Sequence, residues 1–149
     1  MNRRDFSALL PMLLAAPALA PAAEAQSPAP AALPKLTSGP YIWGEAYGTQ
    51  RPARTSHRFL IGMLPDNIRL ESHVTFLVPG APAEPVEHHK HSEIWLVREG
   101  TVTLMAAGVE HTLHAGDMGL VTAGVDHWVT NASKTESASY FVLAVGPPE

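Results

Sequence analysis

Short apolar or alternating runs, separated every few residues by glycine or proline, make up most of the chain after residue 35. Strands of about five or six residues with turn signals this frequent are typical of an all-β barrel or sandwich. No window beyond residue 35 keeps a 3.6-residue apolar period for more than about two turns, so little helix is expected. The predicted strands are 57–63, 68–78, 93–99, 101–106, 109–114, 118–123, 127–131 and 138–145.

Within the strand predicted for 93–99, the segment 93–97 is apolar on both of its faces apart from Glu93. Glu93 and Trp95 share one face, while Ile94 and Leu96 share the other, because alternate residues of a strand point the same way. A strand of this kind belongs in the middle of a two-layer structure or at a subunit interface. Trp95 is therefore expected in the core.

The first 25 residues have the features of an export signal. Arg3 and Arg4, followed by Phe6 and Leu9, form a twin-arginine pattern, and the apolar run that follows is short and interrupted by proline. Residues 23–25 read Ala-Glu-Ala, a cleavage signature, so residues 1–25 are predicted to be removed. We expect a periplasmic or secreted protein with no stable membrane insertion after cleavage; an uncleaved membrane anchor is the alternative.

Composition sets the domain organisation of the rest of the chain. Residues 26–40 are rich in alanine and proline in their first part and are predicted to be a tether, which leaves 41–149 as one β-barrel domain. The chain has no cysteine, which excludes disulfides and thiolate metal ligands. Its net charge of −4 and lack of a basic run give no reason to expect a nucleic acid partner.

Imidazole and carboxylate side chains are concentrated in two glycine-framed stretches. Residues 87–93 read Glu-His-His-Lys-His-Ser-Glu, and a second stretch carries His127. In an extended segment Glu87 and His89 point one way and His88 points the opposite way. A turn at 90–92 would aim the next carboxylate at the same interior. The four donors predicted to surround one ion, at bond lengths of about 2 Å, are Glu87, His89, Glu93 and His127.

A donor set of imidazoles and carboxylates without sulfur selects the class of metal. It suits a divalent ion of manganese, iron, nickel, copper or zinc and excludes soft thiolate chemistry. A second carboxylate would add negative charge, which favours the harder cations manganese and iron. We therefore predict one divalent metal ion, with manganese or iron preferred over zinc, nickel or copper.

The same two stretches resemble the motifs of the cupin superfamily. The first motif reads G-x5-H-x-H-x3-E-x6-G, and the chain matches it from His89 through Glu93 to Gly100. The second reads G-x5-P-x-G-x2-H-x3-N, and the chain matches all its spacings, with Thr122 where proline is usual. The matching residues of the second motif are Gly116, Gly124, His127 and Asn131.

The resemblance covers roughly residues 57–145 and implies a jelly-roll β-barrel. It also implies a divalent metal held by His89, Glu93 and His127, a small-molecule ligand or substrate, and a homodimer. Members of the superfamily include dioxygenases, decarboxylases, isomerases, lyases and plain ligand binders, so the fold does not choose the reaction.

The first motif departs from the family where its first histidine should stand. Glu87 occupies that position, and one extra residue separates it from Gly80. Glu87 is favoured as a ligand itself, because parity already points it inward. Alternatively His88 swings in through a local bulge. In the third hypothesis two histidines and one carboxylate form a facial triad, with Glu87 nearby as a base.

Three further polar residues are predicted to have structural roles and not to bind the metal. His91 is expected in the exposed turn, and Asn131 is expected to hydrogen-bond a turn rather than a substrate. His73, near the same barrel, is expected to be a satisfied half-buried histidine, with a supporting or substrate contact as the alternative.

The functional prediction is a metalloenzyme, with dioxygenase-like chemistry slightly favoured, acting on a small oxygenated organic molecule. A metal with open positions can bind dioxygen and substrate or activate water. The alternative is a non-catalytic exported cupin that binds a small carboxylate or sugar, and a weaker one is a barrel whose site has decayed at Glu87.

Overall fold

The computed structural model describes residues 32–148, without the side chain of Tyr47. Helix in this part of the chain is limited to the single 3₁₀ turns Trp43–Glu45 and Pro65–Asn67, so the prediction of low helix content is confirmed. The strands are β1 (Tyr47–Arg51), β2 (Arg54–Leu64), β3 (Ile68–Leu77), β4 (Ser92–Glu99), β5 (Thr101–Ala106), β6 (Val109–His114), β7 (Met118–Val121), β8 (His127–Asn131) and β9 (Ala138–Gly146).

The strands form two antiparallel sheets in a jelly-roll arrangement. One sheet has the order β1-β2-β3-β9-β4-β7 and the other has the order β6-β5-β8. Strands far apart in the sequence are neighbours, since β4 pairs with both β7 and β9. The predicted all-β jelly-roll is confirmed. Its core is filled from both sheets, chiefly by Leu77, Trp95, Val97, Val102, Leu104, Val129, Tyr140 and Val142.

All eight predicted strands are present, and the bounds of each lie within three residues of the predicted ones. The strand that the pattern did not predict is β1, whose five residues include Gly48 and mostly polar side chains and have no apolar alternation. It exists because β2 supplies a partner along its whole length, from Tyr47 opposite Arg58 to Arg51 opposite Arg54. Tertiary pairing therefore overrides a weak local preference.

Part of the predicted tether pairs with the barrel. Leu36 N–H donates to the Met63 carbonyl at 2.8 Å, and Met63 N–H donates to the Pro34 carbonyl at 2.8 Å. The alanine and proline content of 26–40 did not indicate this pairing. The predicted leader 1–25 lies outside the described residues. Within 32–148, no helix combines the length and the apolar character that a membrane crossing requires.

The two faces of β4 differ in the folded chain. Glu93 and Trp95 are buried on the inner face, which confirms the core position of the tryptophan. On the outer face Leu96 keeps 40% of its surface exposed. The expected burial of both faces is therefore not met within one chain, because no element of the described residues covers the outer side of β4.

The Asn131 side chain makes hydrogen bonds that hold the loop after β8 in place. Its side-chain amide donates to the Val78 carbonyl at 2.9 Å and to the Glu136 carbonyl at 2.8 Å. Its side-chain oxygen accepts from Ser133 N–H at 2.9 Å. The predicted turn-bonding role of this residue is confirmed.

Candidate metal centre

Backbone hydrogen bonds bring the two glycine-framed stretches together. Glu87 and His127 exchange two N–H···O bonds of 2.9 Å, so the segment before the bend pairs with the start of β8. The His89 carbonyl accepts from Gly124 N–H at 2.7 Å. The chain then bends at residues 90–91, and β4 begins one residue before Glu93. The predicted turn thus delivers the glutamate to the same interior as the histidines.

The structure brings His89, Glu93 and His127 into one cluster. One donor atom of each lies within 4.8 Å of the other two. Two atoms bound to a common ion at about 2.0–2.2 Å are separated by at most about 4.4 Å. The three donor atoms therefore need to move only slightly closer together to bind one ion. Glu93 and His127 are buried, and His89 is partly exposed. The three side chains that the motifs predict therefore have metal-site geometry.

Hydrogen bonding aims one nitrogen of His127 at Glu93. The Nδ1 atom of His127 lies 2.9 Å from the Val125 carbonyl, which can only accept, so Nδ1 carries a hydrogen. Its Nε2 atom lies 3.3 Å from Oε2 of Glu93. This carboxylate oxygen is buried without a well-formed hydrogen bond to the described chain. In the neutral ring two lone pairs would face each other, so the pair needs a cation between them, either a proton or a metal.

The pKa values of His127 and Glu93 shift in opposite directions, as expected for two groups that hold a proton between them. Burial alone would lower the pKa of His127, but the neighbouring Glu93 carboxylate and the Val125 carbonyl outweigh it, so the pKa is raised. Burial alone would raise the pKa of Glu93, but His127, His91 and His89 outweigh it, so the pKa is lowered. Without metal the pair therefore favours a carboxylate beside an imidazolium, and a metal ion must displace that proton.

We expect the metal-free protein to gain stability from this pair only within a limited pH range. The raised His127 pKa contributes stability that is complete below pH 6.5 and is lost as the pH rises through the folded value. The lowered Glu93 pKa contributes stability that is complete above pH 4.5 and is lost as the pH falls through the folded value. The contribution should therefore be largest between pH 4.5 and 6.5.

Urea unfolding in the presence of a chelator, from pH 4 to 9, measures this contribution as the difference between wild type and His127→Gln. The difference should shrink at both ends of the range. A difference that grows steadily from pH 6 to 8 would contradict the assigned charges.

The structure also locates the residues on which the three ligand hypotheses depend. Glu87 points to the side of His89, as parity predicted, and its Oε2 lies 3.4 Å from His89 Nε2. His88 points away and faces Asp126, with 3.4 Å between Nδ1 and Oδ1. His88 would need a large rearrangement to enter the cluster. Glu87 as a fourth ligand stays a prediction.

The expectation of an exposed turn at His91 is wrong. Only 5% of this residue is exposed, and its ring stacks on His89 with 4.5 Å between centroids. The reason is non-local: the end of β9 passes over it, and a Cβ on Gly146 would lie 2.6 Å from its Cα. A local signal existed, because His91 and Glu93 are two residues apart and share a face by strand parity.

A small cavity of about 100 Å³ adjoins the cluster inside the barrel. It lies next to an outer recess of about 200 Å³, with which it shares lining residues such as Ser56 and His73. Burial lowers the pKa of His73, which keeps its ring neutral near pH 7. Burial raises the pKa of Tyr140, which keeps its phenol protonated as a hydrogen-bond donor. The cluster thus faces a polar space of small-molecule size.

Comparison with known proteins agrees with the motifs. Residues 73–144, which hold every member of the cluster, match the family model for the cupin domain. This chain belongs to the cupin superfamily. The matched region runs from β3 to β9 and includes both glycine-framed stretches. No curated protein matches the chain significantly.

Solved cupins and related barrels share the fold. An RmlC-like cupin from Shewanella frigidimarina NCIMB 400 is 21% identical, with 72% of this chain and 90% of that chain covered and a TM-score of 0.58. KdgF from Halomonas sp. is 18% identical, with coverages of 76% and 96% and a TM-score of 0.59. Hydroxypropylphosphonic acid epoxidase from S. wedmorenis is 18% identical, with coverages of 69% and 56% and a TM-score of 0.59. At these identities the likeness establishes the fold.

Proposed function

We propose that this cupin is a metal-dependent enzyme that acts on a small oxygenated organic molecule, with oxygenase-type chemistry favoured. The observation that carries the proposal is the cluster of His89, Glu93 and His127 beside a cavity. Two imidazoles and one carboxylate are the ligand set of non-heme iron oxygenases, which keep positions open for dioxygen and substrate.

The residues present fit iron or manganese. His89, Glu93 and His127 would hold the ion, and the ion would take the place of the proton between His127 and the buried Oε2 of Glu93. When bound, a divalent metal of this kind supplies open positions for dioxygen or substrate oxygens and polarises what binds there. Glu87, if it joins as a second carboxylate, would favour manganese or iron further.

Side chains of the cavity suit a ligand rich in oxygen. The indole N–H of Trp95 is buried and makes no hydrogen bond to the rest of the described chain. The Tyr140 phenol and the neutral His73 ring line the same space, so the cavity offers donors and a proton acceptor. Trp95 and Tyr140 are buried, so hydrogen bonds that they make to a ligand are shielded from bulk water.

The similarity to an epoxidase supports the oxygenase-type hypothesis at the level of the fold. The S. wedmorenis protein is named for the epoxidation of hydroxypropylphosphonic acid, a small acidic molecule. This chain spans 56% of that protein's length, so the comparison supports a class of chemistry and not a substrate.

Oxygen uptake tests the proposal directly. Protein loaded with Fe(II), Mn(II) or Ni(II) is supplied with enediols, phenols and flavonoid-like compounds, and dioxygen consumption is recorded. We expect uptake with at least one pair of metal and substrate, and none with His89→Gln under the same conditions. No uptake across the panel would remove the oxygenase interpretation.

A second candidate function, non-catalytic binding of a carboxylate or sugar, is favoured by the outer recess. Arg51, Arg54 and Arg58 line it, and guanidinium groups bind carboxylates in matching geometry. Arg54 and Arg58 already pair with Glu84 and Glu71, which reduces the charge that they offer. Stoichiometric capture of acidic sugars without turnover, measured by calorimetry, would support this candidate over the enzyme.

We further propose that the protein is exported through its twin-arginine leader and acts in the periplasm or outside the cell. Folding before export would let iron or manganese be installed before copper or zinc, which bind such sites more tightly, can compete. Recovery of leader-processed protein from the periplasmic fraction tests this location, and retention in the cytoplasm would contradict it.

The outer face of β4 and β7 is proposed as the interface of a homodimer. Leu96, Met118 and Leu120 are 40%, 67% and 62% exposed, and Leu96 is paired directly with Met118 across the two strands. A contiguous apolar patch of this kind marks an interaction site. Light scattering should give a dimer for wild type and a monomer for Leu120→Lys. Val109→Lys, on an exposed position of the other sheet, should stay dimeric; a monomeric wild type would contradict the interface.

A further inference from the structure

We propose that Arg69 and His91 form a hydrogen-bonded relay that orients the Glu93 carboxylate for monodentate metal binding, through one oxygen. His91 is then a positioning residue and not a metal ligand, although it lies beside the cluster. The inference rests on the proposed metal site, and it adds two residues of this chain that the family motifs do not include.

The contacts form a continuous buried line. Nε2 of His91 lies 3.2 Å from Oε1 of Glu93, and Nδ1 of His91 lies 3.3 Å from Nη1 of Arg69. The side chains of His91 and Glu93 are 4% and 9% exposed, and that of Arg69 is 12% exposed. A hydrogen bond in such a setting is shielded from competing water, so its direction matters.

The guanidinium sets the direction of both bonds. An arginine side chain has donors and no acceptor, so Nδ1 of His91 must accept from Arg69. The neutral ring then carries its hydrogen on Nε2 and donates it to Oε1 of Glu93. This Nε2 cannot bind a cation while it holds the hydrogen. Oε1 accepts this hydrogen bond, whereas Oε2 of Glu93 faces His127 and accepts no well-formed hydrogen bond from the described chain, so Oε2 is the oxygen that we assign as the ligand atom.

Arg69 is itself held in place. Its Nη2 pairs with Oε2 of Glu71, two residues further along β3 on the same face. The other oxygen of Glu71 accepts from Nε of Arg58 at 2.7 Å. A buried carboxylate between two guanidiniums is fully engaged, and it fixes the arginine that fixes the histidine. The stack of His91 on His89 holds the imidazole plane as well.

Loss of the relay should weaken metal binding without removing a ligand. Mutation of a residue that orients a metal ligand typically lowers metal affinity by about 10–100-fold. His91→Leu deletes the donor, and we expect a loss within that range. His91→Gln keeps an N–H that can reach Glu93, so it should recover most of the affinity. His111→Leu, at an exposed position of β6, is the matched control and should bind as wild type does.

The experiment has two arms, and the first needs no metal. Nitrogen-15 NMR of the metal-free protein reports which ring nitrogen of His91 carries the hydrogen. We expect Nε2–H in wild type and loss of that preference in Arg69→Met. A wild-type ring protonated on Nδ1 would overturn the relay.

The second arm measures Mn(II) and Fe(II) affinity by competition with a chelator for wild type and the His91 and His111 variants. Wild-type affinity in His91→Leu, or equal losses in His91→Leu and His91→Gln, would overturn the positioning role. Failure of wild type to bind either metal would instead refute the proposed function. The NMR arm would still decide the relay, so the two failures are distinguishable.

Discussion

Glu93→Gln is expected to abolish stable metal binding while leaving the barrel folded. The substitution keeps size and hydrogen-bonding capacity but removes the single buried negative charge that faces His127 at 3.3 Å. Loss of an orienting partner lowers metal affinity by roughly 10–100-fold. Loss of a direct anionic ligand should lower it by more. Metal content after dialysis, measured by elemental analysis on protein without a histidine tag, should fall from near one ion per chain to background.

The matched control for this prediction lies on the same strand. Glu99→Gln removes an exposed carboxylate of β4 and should keep the wild-type metal content. Unchanged metal content in Glu93→Gln would mean that the ion binds elsewhere. A wild-type protein that cannot be loaded at all would favour the hypothesis of a barrel whose site has decayed.

Asn131→Ala is expected to lower the free energy of unfolding by about 2–4 kcal/mol, since three hydrogen bonds of about 1 kcal/mol each are lost and their backbone partners lie in a partly buried loop. Metal affinity should change little, because the amide contacts backbone groups and no cluster residue. Urea unfolding of the metal-free protein measures the loss.

Two substitutions at nearby positions serve as comparisons for the size of this loss of stability. Thr130→Ala removes one hydrogen bond, to the Ala81 carbonyl, and should cost about 1 kcal/mol. Lys134→Ala, exposed in the same loop, should be close to neutral. A small stability loss in Asn131→Ala combined with a large loss of metal affinity would contradict the structural role.

The cluster could be predicted because the placement of Glu87, His89 and Glu93 has local determinants and because the two stretches resemble the paired cupin motifs. Strand parity places Glu87 and His89 on one side and His88 on the other, and the structure has this arrangement. The bend before β4 returns Glu93 to the same interior, and the spacing from Gly124 delivers His127. The first two steps need only the two-residue repeat of a strand and the position of a turn. The third depends on the pairing of Glu87 with His127, which the resemblance to the cupin motifs anticipated.

The surroundings of the cluster could not be predicted in the same way. The burial of His91 depends on where the end of β9 passes, and its hydrogen bonds depend on Arg69, 22 residues earlier on β3. β1 and the pairing of Pro34 and Leu36 with Met63 likewise depend on partners supplied by other strands.

The sequence by itself therefore determined the all-β class, nearly all of the strands and the three side chains that converge on one point. Periodicity and spacing are properties of neighbouring residues, which a single chain displays directly. Only the tertiary structure decided which side chains orient those three, how the site is closed from water and which apolar face stays open. Those outcomes arise from contacts between strands distant in the chain, where burial and hydrogen-bond direction depend on both partners at once.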